Sequence, residues 1–216
     1  MKPGHRPRII LATRSTHKLR ELRELLGPLQ AELVSLTDAG LPTEVEPIEN
    51  GRTFRANARL KSRYYARMTD LPTLADDSGI EVDALNGGPG VRTRRFAGER
   101  ASDAENNAKL LRVLAGLPPE RRGARYVCVL ALAVPGDGDR RGRPRIAAEA
   151  RGTCRGRIAF SSRGTGGFGY DPIFEPSVEP PGGRTFGLWS LEDKNLISHR
   201  ARAARRMAAR IRDLGI

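Results

Sequence analysis

The stretch from Leu74 to Leu85 is the feature that most constrains the fold of this chain. A short apolar run ends in two adjacent carboxylates, Asp76 and Asp77, and Ser78-Gly79 then precedes a second, alternating run. Ionised carboxylates are costly in a dry core, so two of them at the end of a strand must be paired or hydrated. Two interpretations stay open: a turn capped by Asp77 and Ser78, or a site for a divalent cation or a general base.

Length and composition predict one domain. With 216 residues and 38% apolar side chains, the chain is long enough to bury a core. No apolar run approaches the roughly twenty residues that span a bilayer, and the N-terminus lacks a signal-peptide core. We therefore expect a single cytoplasmic domain over residues 1–216, with no membrane partner.

The net charge of +13 would ordinarily suggest a nucleic-acid partner. The arginines, however, are spread over every segment, and aromatic residues make up only 5% of the chain. We therefore expect a solvated basic surface and no stable nucleic-acid partner. Because lysine is scarce, each one is a candidate for a position that needs a compact ammonium group. The five lysines are Lys2, Lys18, Lys61, Lys109 and Lys194.

Strands that alternate with helices predict an α/β fold with a mixed, twisted sheet flanked by helices. Arg125–Val134 is the most apolar strand, and we expect it at the centre of the sheet. Thr53 is a predicted N-cap for a helix that runs from Phe54 to about Met68, and Ser102 with Glu105 predicts a capping box. We expect strand breaks at Ser78-Gly79 and between segments 146–153 and 156–160, with a polar loop over 135–145.

The segment from Thr13 to Lys18 separates the first strand from a helix. Hydroxyl groups, free N–H groups at a helix start and a lysine form a phosphate-binding arrangement; simple N-capping by Ser15 or Thr16 is the alternative. On the next helix Asn57 and Lys61 are four residues apart and share a face. They follow an acidic loop with Glu44, Glu46 and Glu49, so two interpretations stay open: a part of the same site, or a solvent-facing polar pair.

The segment from Gly164 to Phe174 places glycines on both sides of Phe168 and an aspartate, Asp171, before a proline. Glycines let backbone N–H groups approach a ligand closely, and the aromatic ring can stack on a planar group. A tight turn with core aromatics is the alternative. Ser198-His199-Arg200 starts the last helix, either as a polar-ligand site or as an ordinary cap.

Taken together, these stretches resemble the inosine/xanthosine triphosphate pyrophosphatases, the Ham1/RdgB-like family. The matching stretches occur in the family's order over nearly the whole chain: Leu11-Ala12-Thr13…Lys18…Glu21, Thr53-Phe54…Asn57-Ala58…Lys61, Ala75 to Leu85, Gly88-Pro89-Gly90-Val91, Gly166 to Phe174, and Ser198-His199-Arg200.

The resemblance implies a magnesium-dependent homodimer that hydrolyses ITP, dITP and XTP to the monophosphate and pyrophosphate. It also implies two lobes with a central cleft. By position, Asp77 would be the proton acceptor and a magnesium ligand with Glu49, while Lys61 would contact phosphate and Ser78 the substrate. The triphosphate would be held by Thr13, Arg14, Ser15, Thr16, His17 and Lys18, and the base and sugar by Phe168, Gly169, Tyr170, Asp171, Lys194, His199 and Arg200.

Ser15 departs from the family, which usually has asparagine there, so one hydroxyl donor replaces two amide donors. His199, Arg200 and N–H groups near Gly169 are candidate donors to the O6 atom of a 6-keto purine; adenine would leave them unpaired. Two alternatives remain: a Maf-like pyrophosphatase of pyrimidine or modified nucleotides, and a basic nucleic-acid-binding protein. The sequence leaves open whether Asp76 or Glu81 joins the metal shell.

Overall fold

The computed structural model describes residues 6–136 and 142–216. In chain order its helices and strands are β1 (Arg8–Leu11), α1 (Thr16–Leu26), β2 (Glu32–Ser35), α2 (Phe54–Thr69), β3 (Thr73–Val82), α3 (Asp103–Val113), β4 (Gly123–Val134), β5 (Arg145–Ile158), β6 (Phe174–Pro176), α4 (Leu191–Ile197) and α5 (His199–Asp213). None of these helices is long and apolar enough to cross a membrane.

The strands form one six-stranded sheet in the order β2-β1-β3-β4-β5-β6. Strand β1 runs parallel to both β2 and β3, with Ile10 opposite Thr73 in the latter pair, whereas β6 runs antiparallel to β5. The sheet is therefore mixed, and with its helices it confirms the predicted α/β class. Because Leu11, the last residue of β1, pairs with Leu74, the loop after β1 emerges beside the first half of β3, close to Ala75 and Asp76.

The predicted break at Ser78-Gly79 is wrong, because β3 runs without interruption from Thr73 to Val82. This strand pairs with β1 at Thr73 and Leu74 and with β4 on its other side, and pairing within the sheet outweighs a local turn preference. The two separate strands expected at 146–153 and 156–160 are likewise one strand, β5. Part of the predicted loop over 135–145, residues 137–141, lies outside the described residues.

Other local predictions are confirmed. Strand β4 is fourth in the sheet order and is buried over nearly its whole length. The Thr53 side chain caps α2 by accepting a hydrogen bond from the Ala56 N–H group. Ser102 and Glu105 form the capping box of α3. Each of these caps depends on residues within one helical turn, which explains why the sequence pattern is sufficient to identify them.

The chain divides into two compact units, and the division falls within β3, β4, β5 and α5. The first contains residues 6–77, 129–136, 142–151 and 202–216, and the second contains residues 78–128 and 152–201. Each has its own apolar core. The core of the first includes Ile10, Ala12, Val34, Leu36, Tyr65 and Ala75; that of the second includes Ile80, Val82, Leu110, Tyr126, Ile158, Phe174 and Phe186.

One buried cation, Arg122, stabilises the second unit. Its guanidinium group donates hydrogen bonds to the carbonyl oxygens of Leu114, Ile158 and Ala159 at 2.7, 2.8 and 2.7 Å. The group also lies 4.6 Å from the centroid of the Phe160 ring. Arg122 thereby ties the end of α3 to the end of β5.

Replacing Arg122 by methionine should lower the free energy of unfolding by roughly 2–4 kcal/mol, because three hydrogen bonds from a buried guanidinium group to carbonyl oxygens are lost. Urea unfolding measures the change. The exposed neighbour Arg121 is the matched control, and Arg121→Met should change stability by less than about 0.5 kcal/mol. Equal losses in the two variants would contradict the bridging role of Arg122.

Candidate active site

In the first unit, strand β3 carries the two adjacent carboxylates. Asp76 is 1% exposed, and its Oδ2 atom lies 2.9 Å from the Nζ atom of Lys18 in the first turn of α1. Successive side chains of a strand point to opposite faces. Asp77 accordingly has a different neighbour: its Oδ2 atom accepts a hydrogen bond of 3.1 Å from the Nδ2 atom of Asn57 on α2.

Asp77 has the protonation behaviour of a candidate general base. Its pKa is raised to about 6, chiefly by burial and also by the negative charge of Glu49. The positive charges of Lys61 and Lys18 and the hydrogen bond from Asn57 oppose that rise without cancelling it. A carboxyl group with a pKa near neutrality can accept a proton and release it again at physiological pH.

Lys61 lies four residues after Asn57 on the same helix, and its Nζ atom is 2.9 Å from an Oε1 atom of Glu49. Burial alone would lower the pKa of Lys61, but the charges of Asp76, Glu49 and Asp77 outweigh burial and raise it. Lys61 therefore remains an ammonium ion among carboxylates. The sequence prediction that Glu49, Lys61 and Asp77 belong together is consistent with these contacts.

Glu49 and Asp77 fit a divalent cation. They are close enough for the charge of Glu49 to raise the pKa of Asp77, and a bound cation would relieve that repulsion. Magnesium is commonly held by one or two carboxylates together with phosphate oxygens of the substrate. Over residues 6–136 and 142–216, no group of three or more His, Cys, Asp or Glu side chains could hold a metal ion.

The two other acids considered for the metal shell have basic partners. Asp76 contacts Lys18, as described above. Glu81, in the second unit, lies 2.6 Å from the Nε atom of Arg125. These ion pairs favour structural roles for both acids.

The loop from Thr13 to Lys18 has a cap at its centre. The Ser15 hydroxyl oxygen accepts a hydrogen bond of 3.4 Å from the Lys18 N–H group, so Ser15 is the N-cap that the alternative interpretation of this segment expects. Arg14 donates to the carbonyl oxygen of Leu41 at 3.2 Å, while Thr16 and His17 are exposed. Contact between this loop and a triphosphate stays a prediction.

In the second unit, Asp171 is the centre of a buried polar network. It accepts hydrogen bonds from the Phe168 N–H group at 2.9 Å, the Lys194 ammonium group at 2.7 Å and the Tyr126 hydroxyl group at 3.2 Å. Gly167 has φ +72°, and a Cβ atom there would lie 2.1 Å from Asp171 Oδ2. Glycine is therefore required for this turn to close on the carboxylate.

Phe168 is half-buried, and two cationic side chains lie near its ring. The Lys194 Nζ atom lies 4.9 Å from the ring centroid and the Arg200 Cζ atom 5.4 Å. Arg200 also donates a hydrogen bond of 3.0 Å to the Ser78 hydroxyl oxygen. Phe168, Asp171, Lys194, Arg200 and Ser78, five residues predicted from separate motifs, are thus brought together within one unit.

His199 begins α5 and is 4% exposed. Its imidazole ring stacks on the ring of Tyr126, with centroids 4.6 Å apart and planes 8° from parallel. Ser198 caps the helix, because its hydroxyl oxygen accepts from the Ala201 N–H group at 3.2 Å. The cap and a ligand-binding role for His199 are compatible, since they use different side chains.

Two residues that were predicted to contact the substrate, Gly169 and Tyr170, already form hydrogen bonds within the protein. The N–H group of Gly169 donates to Asp103 at 2.6 Å, and its carbonyl oxygen accepts from Asn107 at 3.0 Å. Tyr170 lies in the core, and its hydroxyl group donates to the Thr93 carbonyl oxygen at 2.8 Å. Direct substrate contacts by Gly169 and Tyr170 stay predictions.

The sequence interpretation did not include Tyr126, Asp103 or Asn107. A tyrosine inside the apolar strand β4 was a signal, because a buried phenol needs a hydrogen-bond partner. Asn107 was another, since asparagine is unfavourable inside a helix unless its amide is used. Neither signal identifies the partner, which lies far away in the chain.

Comparison with known proteins agrees with this geometry. The Ham1 family model matches residues 9–210. A protein of Geobacillus kaustophilus named dITP/XTP pyrophosphatase is 47% identical over 195 residues, covering 90% of this chain and 89% of that protein. One of Lactobacillus acidophilus with the same name is 42% identical over 200 residues, covering 93% of this chain and 95% of that protein.

Solved structures are similar over almost the same length. A HAM1 protein from Coxiella burnetii has a TM-score of 0.79 and 38% identity, covering 96% of this chain and 99% of its own. A nucleoside-triphosphatase, dITP/XTP pyrophosphatase, from Mycobacterium abscessus has a TM-score of 0.70 and 41% identity, covering 93% and 98%. These similarities confirm the resemblance seen in the motifs, and this chain belongs to the Ham1 family.

Proposed function

We propose that this protein hydrolyses non-canonical purine nucleoside triphosphates, namely dITP, ITP and XTP, to the monophosphate and pyrophosphate. Relatives with 42% and 47% identity carry the name dITP/XTP pyrophosphatase. The observation that carries the proposal is the cluster around Asp77. A buried carboxyl group with a pKa of about 6 lies among the charges of Glu49, Lys18 and Lys61.

The reaction we propose is attack of water on the α-phosphorus atom. A bond forms from the water oxygen to phosphorus, the bond from phosphorus to the bridging oxygen breaks, and pyrophosphate leaves. Asp77 takes the proton of the water, while the ammonium groups of Lys18 and Lys61 offset phosphate charge. A magnesium ion held by Glu49 and Asp77 would, when bound, polarise the phosphoryl oxygens and lower the pKa of water.

Recognition of the base is assigned to the second unit. Phe168 offers a ring face for stacking, and Lys194 is held beside that ring by Asp171. His199 and Arg200 are the proposed donors to the purine O6 atom. An adenine amino group at the same place would leave those donors unpaired, and such polar mismatches discriminate strongly.

The proposal includes a cytoplasmic homodimer with small-molecule substrates and no stable nucleic-acid partner. Part of the positive charge is neutralised locally and is therefore less available to a polyanion. Arg55 and Arg59 both bind Glu149, and Arg125 binds Glu81. Sedimentation at several protein concentrations tests the homodimer.

The decisive experiment is hydrolysis of a panel of nucleotides with and without Mg²⁺. We expect turnover of dITP, ITP and XTP well above that of dATP, GTP, UTP and TTP, with pyrophosphate as the product. Release of inorganic phosphate would contradict attack at the α-phosphorus atom. Preference for pyrimidine nucleotides would instead favour a Maf-like specificity.

Replacing Asp77 by asparagine should reduce kcat for dITP by about 1,000-fold, because the proton acceptor is lost.

The same substitution, Asp77→Asn, should stabilise the metal-free protein above pH 6. Asp77 has a folded-state pKa of about 6 against an ordinary 3.8, so the folded protein holds a proton that the unfolded chain has released between these values. Stability from this group therefore falls as pH rises across the window, by about 3 kcal/mol in total.

Thermal unfolding in a chelating buffer measures this effect. The Asp77→Asn variant should unfold at a higher temperature than the wild type at pH 8 and should show no such advantage at pH 4. A variant that is less stable than the wild type at pH 8 would show that Asp77 does not carry a burial penalty. Full turnover by a folded variant would remove Asp77 as the base.

Replacing His199 by alanine should lower the ratio of kcat/KM for dITP to that for dATP by about 10- to 100-fold, because a donor to O6 is lost. His17→Ala is the matched comparison. His17 belongs to the predicted triphosphate loop, and both nucleotides have the same triphosphate, so that variant should leave the ratio unchanged. An unchanged ratio in His199→Ala would exclude His199 as the discriminating donor.

A further inference from the structure

Asn57 is a buried bridge between a loop and the candidate base. Its side chain is in the first turn of α2, and the residue is 3% exposed. The Oδ1 atom accepts a hydrogen bond of 2.8 Å from the Gly51 N–H group, and the Nδ2 atom donates one of 3.1 Å to Asp77 Oδ2. Both ends of the amide are therefore used.

The bridge also determines the orientation of the amide. A backbone N–H group can only donate, so the oxygen of Asn57 must face Gly51 and the nitrogen must face Asp77. Asp77 Oδ2 is consequently held as a hydrogen-bond acceptor. The other carboxylate oxygen, Oδ1, is the one left for a reacting water or a cation.

The loop that contains Gly51 comes very close to the Asn57 side chain. A Cβ atom on residue 51 would lie 2.4 Å from Asn57 Oδ1, so only glycine lets the backbone approach the amide. Glu49, two residues earlier, contacts Lys61 one helical turn after Asn57. One face of α2 thus holds both carboxylates: Asn57 holds Asp77, and Lys61 holds Glu49.

We propose that Asn57 is a positioning residue that fixes Asp77 through Oδ2 and thereby presents Oδ1 to the reacting water. This inference rests on the proposed function, because it assigns a role in that reaction. In this role Asn57 acts through Asp77 and not by direct contact with the phosphate. Small errors in the position of a catalytic group are costly for the reaction rate, so a bridge that removes the rotational freedom of a carboxylate has a direct effect on turnover.

The test is Asn57→Asp, which keeps the shape of the side chain and the acceptor for Gly51. When it is ionised, the new carboxylate cannot donate to Asp77 and instead repels it. We expect kcat for dITP to fall about 10- to 100-fold while KM changes by less than about 3-fold. Because the triphosphate and the base are bound by other residues, a split between kcat and KM is the signature of positioning.

Asn106 supplies a matched control in the second unit. It is 2% exposed, accepts from the Ala97 N–H group at 2.8 Å and donates to the Arg94 carbonyl oxygen at 3.0 Å. Asn106→Asp therefore also removes a buried amide donor and keeps the acceptor. Both variants should lose thermal stability, but only Asn57→Asp should lose more than about 10-fold in kcat.

Metal binding is measured separately, with Mn²⁺ as the probe and electron paramagnetic resonance as the readout. The titration includes a dITP analogue with a methylene group between the α- and β-phosphorus atoms. Asn57→Asp adds negative charge, so it should bind Mn²⁺ at least as tightly as the wild type. A loss of kcat at full Mn²⁺ occupancy then reports on the position of Asp77.

The outcomes are distinguishable. Equal kcat in Asn57→Asp and Asn106→Asp would overturn the positioning role, and so would a kcat that falls only in proportion to Mn²⁺ occupancy. A wild type that does not hydrolyse dITP would overturn the proposed function itself. If Asn57→Asp does not fold, Asn57→Ala removes both hydrogen bonds without adding charge, and the same fall in kcat is expected.

Discussion

The burial of carboxylates in β3 is the constraint on which the rest of the first unit depends. Asp76 is 1% exposed and Asp77 9%, and an ionised group at such depth is tolerated only beside compensating charge or donors. Helix α1 supplies Lys18, and α2 supplies Asn57 and Lys61. The helix starts, the acidic loop and the sheet are therefore arranged around one electrostatic requirement. The carboxyl group with the raised pKa is also the one best suited to accept a proton.

Three of the five lysines form close ion pairs with carboxylates. In a chain with 38 basic residues, Lys18, Lys61 and Lys194 each lie within 2.9 Å of a carboxylate oxygen. The guanidinium group of arginine is larger and planar and has five N–H donors. A narrow buried site between two carboxylates cannot provide acceptors for all five. A compact ammonium group fits there and keeps its charge. Arginine serves where several carbonyl groups converge, as around Arg122.

Features that depend on neighbours in sequence could be predicted, and features set by distant partners could not. The caps at Thr53 and Ser102 each involve a single turn of helix, and both are present. The predicted break at Ser78-Gly79 rested on a local signal, and the pairing of β3 within the sheet outweighs it. The partners of Tyr126 lie 45 and 73 positions along the chain, at Asp171 and His199. No spacing rule predicts such contacts.

The continuity of β3 has a consequence for how this segment can vary. Adjacent positions of a strand face opposite sides, so Asp76 meets α1 and Asp77 meets α2. Losing or gaining one residue between Thr73 and Asp76 would exchange the two faces and place each carboxylate opposite the wrong helix. Substitutions here remove one contact at a time, whereas a change of length would dismantle the whole cluster. A change in the length of this segment would therefore disturb more contacts than any single substitution in it.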